Sequence, residues 1–575
     1  MVTRANTGFM RSLFHGAIDE EVLFPFPEMP AVERESVGLI LTSLRAHFAA
    51  HVDSQQIDRE ERISEAVLEG MKQLGLFGLM IPAAQDGLGL SPSGYMRVLQ
   101  EVAAFDLSIG FTVGWHQSLG AAAIMLFGSQ AQRRTYLPRL ATGERVAAFA
   151  LTEPSAGSDA GSIKTLAEPT ADKSGYVLRG TKTWVTNGGF ADLFIVFART
   201  SGTDESARPR MTAFIVERGP GVRAGSEEPK LGLRGMSAPE VVFDDVFVPK
   251  ECVLGEVGRG WRCAMTIMNH GRLALAALSI GAAEAMLKHA VERARDRRAF
   301  GRSIGEFSLI KDKIAMMMAN LYALESATYL TAGLAEGRLG SFSIEAAVCK
   351  VLGSETLWGV VNETLQIAGG AGCWRGLPYE RLLRDARGLQ ISLGTNEVLR
   401  CFIALSGMQG PAKALAEVVR AVRQPMRGIG PIGDFALRKA RAVLGRERLS
   451  RVHPALVREA AWFEELAGDL AVQVEGVVRR RGPDLEERQP VLARVADIAI
   501  DLYAMAACIA RASRAISHRG EEGARREVDL TALFCAAARA RIRQRTSEIE
   551  RNDDELRAVV ASRAYADGNY PLDVL

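Results

Sequence analysis

The spacing of apolar residues changes along the chain. In VGLILTSLRAHFAAHV, starting at Val37, they recur at steps of three and four, which predicts an amphipathic helix. That helical pattern fills a domain over 36–145, interrupted by a Gly/Pro-rich stretch around Pro82 to Pro92. Over 146–255 the period falls to two. The stretches Tyr176–Asn187, Asp192–Arg199, Met211–Arg218 and Val241–Pro249 read as strands between turns rich in Gly, Asn and Asp. Strands without intervening helices predict an antiparallel sheet or small barrel, not a βαβ array. Long helical segments return over 256–410, for example ALSIGAAEAMLKHAVERARD and KDKIAMMMANLYALESATYLTAGLAEG. A Gly/Pro/Arg-rich linker spans 411–453 and a further helical domain spans 454–575. Residues 1–35 read as an N-terminal extension, because Pro25, Pro27 and Pro30 break any periodicity there. The fold class is therefore mostly α with a central β-domain.

Composition narrows the classes without choosing among them. The chain has 575 residues, 48% hydrophobic and 24% charged, which excludes wholesale disorder, collagen-like and coiled-coil classes. The net charge of +2 gives no reason to expect nucleic acid. The seven cysteines (252, 263, 349, 373, 401, 508 and 535) are odd in number and show no Cys-x-x-Cys spacing. A reducing cytoplasm is the expectation, without disulfides or structural zinc. Met1 to Ala17 lacks the continuous apolar core of a secretory signal.

Several motifs carry candidate chemistry, each with a bland alternative. LTEPSAGSDAGS (Leu151 to Ser162) is a loop of small hydroxyl residues and glycines that could reach a planar polar ring or a phosphate. In TWVTNGG, Trp184 and Thr186 would share one side of a strand, the indole to stack on a ring and the hydroxyl to donate to its edge. ERARDRRAFGRSI ends a helix with basic charge, and Arg297 or Arg298 could grip a pyrophosphate. QIAGGAGCWRG lacks the Gly-x-Gly-x-x-Gly fingerprint, and neither a P-loop nor a His-Glu-x-x-His pair occurs.

Taken in order, LTEPSAGSD, WVTNGG, RRAFG, QIAGGAG and GTNEVLR resemble the acyl-CoA dehydrogenase family from about Val32 to Gly410. SLFHGAIDEEVLFPFP, NHGRLALAA, HPALVREA and DIAIDLYAMAACIARASRAIS look like its very-long-chain branch and that branch's relative in respiratory complex I assembly. The resemblance implies a helical domain, a β-barrel-like domain, a four-helix domain and an added C-terminal helical domain. It implies FAD, with Phe149, Leu151, Thr152 and Ser158 lining flavin and thioester, and Trp184 and Thr186 flanking the ring. Arg297, Phe300, Gln366, Gly369 and Gly370 would reach the FAD of a neighbouring subunit, which makes a homodimer the expectation. Thr395 and Glu397 would hold the adenosine half. Ser158, Arg272 and Leu393 fall at substrate positions. The substrate would be an acyl-CoA or a carrier-protein acyl thioester, and the electron acceptor an electron-transfer flavoprotein.

One residue departs from that pattern. The family removes a proton alpha to a thioester and sends the beta hydrogen to flavin as hydride. The usual base is a Glu directly before Gly-Thr; here that position is Leu393. The alternative base position, directly before an Arg, is Gly271. No catalytic residue is thereby identified. Glu397 (if helical with Leu393), His116 and His270 are the substitutes weighed, and packing or cofactor contact is the favoured role for each. The backbone N–H of residue 393 survives any side chain and can still polarise the thioester oxygen. Arg420 to Arg451 is strongly basic with interleaved apolar residues, which reads either as a solvated linker or as a peripheral contact with the inner face of an anionic membrane.

Overall fold

The computed structural model describes residues 8–200, 210–338, 341–423 and 448–572. The chain forms two compact units, one built mainly from Val22–Leu399 and the other from Phe9–Glu21 with Arg400–Leu575.

In the first unit a helical layer includes Ala31–His51, Pro92–Phe105 and Leu107–Trp115. Asp106 caps the last of these by accepting from the Ile109 N–H. The chain then passes through a π-helical turn, His116–Ala121, into Ala122–Phe127. The sheet that follows has the order β6-β7-β3-β2-β4-β5-β8, with β1 also paired to β4. These strands are β1 Ala147–Ala150, β2 Leu166–Pro169, β3 Gly175–Lys182, β4 Leu193–Thr200, β5 Arg210–Glu217, β6 Val222–Ala224, β7 Val241–Pro249 and β8 Val253–Leu254. β4, β5 and β7 fall where strands are predicted; β7 alternates buried and exposed positions, while β4 and β5 are buried on both faces.

The sheet is mixed, not purely antiparallel. β1 and β2 both run parallel to β4 along one edge, β1 beside its first half and β2 beside its end. The break between them is where residues 151–165 leave the sheet and return, so the LTEPSAGSDAGS loop is a rupture in a ladder.

A second expectation also changes. The predicted strand over Tyr176–Asn187 stops at Lys182, because Trp184 (φ 55°) and Asn187 (φ 67°) adopt the left-handed region. Trp184 and Thr186 therefore belong to a turn, closed by Gly188 N–H donating to Val185 O at 2.7 Å, and do not share a strand face.

The long helix Gly260–Asp296 packs against Ser308–Gly333 and Ser343–Ala368, and against Pro92–Phe105 of the helical layer. It is buried on every side from Gly271 to Ala283 and presents a polar face only toward its ends. At the last crossing Gly281 lies against the Gln100 carbonyl too closely for any Cβ.

The second unit stacks Val457–Arg481, Gln489–Gly523 and Arg525–Glu550, and adds an exposed helix, Asp554–Asp567. Residues Phe9–Glu21 are part of it, not an appendage. The Phe9 ring lies 5.8 Å from that of Tyr503, Phe14 packs on Gly407, and Glu20 accepts from the Ser450 hydroxyl and the Arg451 N–H. The Asn396–Arg423 helix runs past the linker boundary suggested by Gly410 and through Pro411. A proline costs a helix one hydrogen bond but does not always end it. Most of the basic 420–451 segment lies outside the described residues.

Candidate active site

The 151–165 loop is held from beneath by a buried ion pair. Lys182 donates to Glu153 at 2.8 Å and to the Leu151 carbonyl at 3.0 Å, with its side chain fully buried. Glu153 also accepts from the Lys164 N–H, the Thr165 N–H and the Thr165 hydroxyl. Burial raises the Glu153 carboxyl, but these hydrogen bonds together outweigh it and leave it below its ordinary range. The loop's two ends are thus pinned to β3, and Thr183 N–H closes the joint on Thr152 O at 2.9 Å. Leu151 is buried and Thr152 half-buried, while Ser158 is exposed at the loop's tip. Phe149 packs on Phe197 with ring centroids 5.0 Å apart.

Above this base stands Trp184, 59% exposed, on its left-handed backbone. Thr186 is buried and donates to the Met236 sulfur at 3.7 Å. Asn187, fully buried, donates to the Thr112 carbonyl and so ties the turn to the helical layer. An indole held out of the core by a rigid turn, beside a buried hydroxyl, is a wall that fits a planar ring.

The π-helical turn lies against both β1 and the long helix. His116 donates through Nε2 to the carbonyls of Phe77 and Leu140, both at 3.1 Å, and accepts through Nδ1 from the Ala147 N–H at 3.0 Å. Burial pushes its pKa down to about 4. Both nitrogens are consumed, Nδ1 on β1 and Nε2 on the Phe77 and Leu140 carbonyls, so His116 is not the missing base. His270, pulled down to about 4 by burial, packs edge-on against Phe342.

One residue pair further along, Leu119 meets the two base positions. A Cβ built on Gly271 would lie 2.7 Å from Leu119 Cδ2 and 3.1 Å from Leu393 Cδ1. Gly271 and Leu393, 122 positions apart in sequence, therefore face one spot, and both are without a carboxylate. Arg272, buried, donates from Nε to the Leu393 carbonyl at 3.3 Å, and burial lowers its pKa to about 10. Leu393 (φ 57°) and Gly394 (φ 95°) form a left-handed turn before the helix that starts at Asn396. Leu393 and Glu397 consequently do not share a helical face, which removes the geometry considered for Glu397 as a substitute. Glu397 is exposed and Thr395 half-buried.

The remaining predicted residues gather elsewhere. Arg297 caps the end of the Gly260–Asp296 helix and, with Arg293, Arg298 and Tyr379, lines a cavity of about 530 Å³. Phe300 is 94% exposed, and Gln366, Gly369 and Gly370 are exposed at the end of the Ser343–Ala368 helix. At 1.5 Å rise per residue, roughly 39 Å of helix separates Gly271 from Arg297. One chain thus offers a group around Trp184, a group around Gly271 and Leu393, and a distal group around Arg297 and Phe300.

Three segments match known domain families in the same order. Residues 35–144, 148–246 and 258–408 match the acyl-CoA dehydrogenase N-terminal, middle and C-terminal domains. The chain belongs to the acyl-CoA dehydrogenase family. Residues 454–564 further match the ACAD9/ACADV C-terminal domain. The very long-chain specific acyl-CoA dehydrogenase of Macaca fascicularis is 38% identical over 98% of this chain and 89% of its own. The solved acyl-CoA dehydrogenase of Bacillus anthracis, complexed with FAD, superposes with a TM-score of 0.80 at 30% identity, covering 98% of this chain and 96% of that one. The prolyl acyl carrier protein oxidase AnaB superposes with a TM-score of 0.61 at 29% identity, over 66% of this chain and 99% of its own. Membership makes this acyl-CoA dehydrogenase-type chain an oxidoreductase and a flavoprotein, with FAD as its cofactor. The residues present fit that cofactor: the exposed Trp184 wall and buried Thr186 suit a tricyclic ring.

Sequence reading overlooked Leu119, Asn396, the Glu153–Lys182 pair and a fully buried Lys350. The last carried a usable signal, since Lys350 interrupts the apolar run AAVCKVLG, where an unpaired charge would be costly.

Proposed function

We propose that this chain is an FAD-dependent flavoprotein of the very-long-chain branch that binds an acyl thioester between Trp184 and Leu393 and has lost the carboxylate that starts α,β-dehydrogenation. The observation that carries this is the shared spot of Gly271 and Leu393, apolar from both sides. FAD, when bound, accepts the hydride from the beta carbon. The chain's own residues do the rest. Trp184 and Thr186 flank the ring, the loop around Leu151, Thr152 and Ser158 lines flavin and thioester, and the Leu393 N–H polarises the thioester oxygen. Leucine accepts no proton at any pH, so the alpha proton leaves slowly to solvent.

The distal group of Arg297, Phe300, Gln366, Gly369 and Gly370 lies too far along the helix to share its own chain's FAD, which supports a homodimer in which each copy completes the other's cofactor site. Thr395 and Glu397 would hold the adenosine half. An electron-transfer flavoprotein would be the electron acceptor. Attachment to an anionic membrane through 420–451, at the cytoplasmic face, is tested by sedimentation with anionic liposomes; no binding at low salt removes it.

The apolar base spot favours a second reading, a flavoprotein acting on an acyl thioester without dehydrogenating it, with a carrier-protein thioester as an alternative to CoA. A non-enzymatic assembly role is the third. The test is the protein's colour followed by anaerobic addition of palmitoyl-CoA. Slow bleaching supports the first reading, yellow protein that never bleaches the second, and protein unable to bind added FAD the third.

A further inference from the structure

The turn that presents Leu393 is strained and yet tightly fixed. Its two left-handed residues sit between Gln390 and Asn396, and Lys350 reaches the turn from the Ser343–Ala368 helix. The Lys350 ammonium donates to the Gln390 carbonyl at 3.1 Å, the Gly394 carbonyl at 2.8 Å and Asn396 Oδ1 at 2.8 Å. Its side chain is fully buried. Asn396 is oriented in turn by donating to the Ser354 hydroxyl at 3.0 Å and to Glu355 at 3.1 Å. Ser354 lies one helical turn from Lys350 on the same face. Arg272, from the Gly260–Asp296 helix, takes the Leu393 carbonyl. Successive carbonyls of the turn are therefore held by two buried cations from two different helices. Among the described residues, the Leu393 N–H has no hydrogen-bond partner within the chain.

A buried ammonium is an expensive way to close a turn, and it closes this one without touching the side chain of residue 393. The turn's shape is thus independent of whether that side chain is a carboxylate. We propose that Lys350 is a positioning residue: by fixing the Gln390, Gly394 and Asn396 oxygens it aims the Leu393 N–H at the thioester oxygen, so that carbonyl polarisation survives in a chain that lacks the base. This rests on the acyl-thioester reading above.

The test uses the FAD-loaded full chain and a 3-ketoacyl-CoA of palmitoyl length. The C2 proton of that probe is acidic enough to leave without an enzymic base, and its enolate gives a long-wavelength absorbance band beside oxidised flavin. The parent should bind it with the band. Lys350→Met should keep its FAD content but bind at least about 10-fold more weakly and lose most of the band, and Lys350→Arg should recover part of both. If Lys350→Met fails to fold, Gly394→Ala perturbs the same turn at φ 95° from outside the core and should show the same loss. Unchanged affinity and band in the folded variants, with a parent that binds, would overturn the positioning role alone. A yellow parent that does not bind the probe would overturn the thioester reading and this role with it.

Discussion

Placing a carboxylate back at the apolar spot should restore chemistry from one side and not from the other. Leu393 already occupies a left-handed backbone, and a glutamate, like leucine unbranched at Cβ, fits the same conformation without new strain. Its side chain would project toward the Gly271 space that Leu393 Cδ1 now borders. The neighbouring Arg272 guanidinium favours the ionised form, which suits a base. A general base contributes about 10²–10⁴-fold, or roughly 3–5 kcal/mol of barrier at 1.36 kcal/mol per decade. Leu393→Glu should therefore speed anaerobic flavin bleaching by an acyl-CoA by about that factor. Gly271→Glu should not. Its Cβ would lie 2.7 Å from Leu119 and 3.1 Å from Leu393, overpacking that costs about 1–3 kcal/mol before any proton moves. Combining Gly271→Glu with Leu393→Ala relieves one of the two clashes and should regain part of the rate. A Leu393→Glu protein that holds FAD and binds acyl-CoA but bleaches no faster than the parent would refute the shared-spot argument.

Other expectations follow from the same contacts. His116 has its folded pKa pushed down to about 4 from about 6.5 by burial, so the unfolded state binds the proton first as pH falls. Stability is full above pH 6.5 and declines between there and pH 4, on the order of 3 kcal/mol from this residue; His116→Gln should flatten that slope in melts taken across the range. Lys182→Met leaves Glu153 buried and unpaired and should cost about 3–5 kcal/mol, seen as a lower Tm and weaker FAD retention. Phe300→Ala, altering an almost fully exposed ring 6.0 Å from that of Phe307, should reduce bound FAD while leaving the Tm of FAD-free protein nearly unchanged; an equal loss in both would argue against the cross-subunit role.

Much of this architecture is legible because β7 alternates and helices such as Glu65–Gln73 and Pro378–Leu389 keep one buried face, while β4 and β5 are short apolar runs bounded by turn residues. The turns are less so. Trp184 and Thr186 look like strand neighbours, but the left-handed backbone at Trp184 and Asn187 ends β3 at Lys182, whose side chain is tied to Glu153 and the Leu151 carbonyl about thirty residues away. The convergence of Leu119, Gly271 and Leu393 is likewise invisible along the chain, since it depends on a π-helical turn and a helix crossing that no local spacing announces. The absent carboxylate, by contrast, is readable in a single position of a motif. What needed coordinates was that the second possible position opens onto the same place.

The braid of Phe9–Glu21 into the second unit has a cost in time. The ring of Phe9 packs on that of Tyr503 from about five hundred residues away, so this segment stays uncovered until the distant helix has formed. Until then its apolar side, including Met10, Leu13 and Phe14, stays open to solvent and to chaperones. A clone begun at the first residue of the matched N-terminal domain would omit this strap and leave the Tyr503 surface bare.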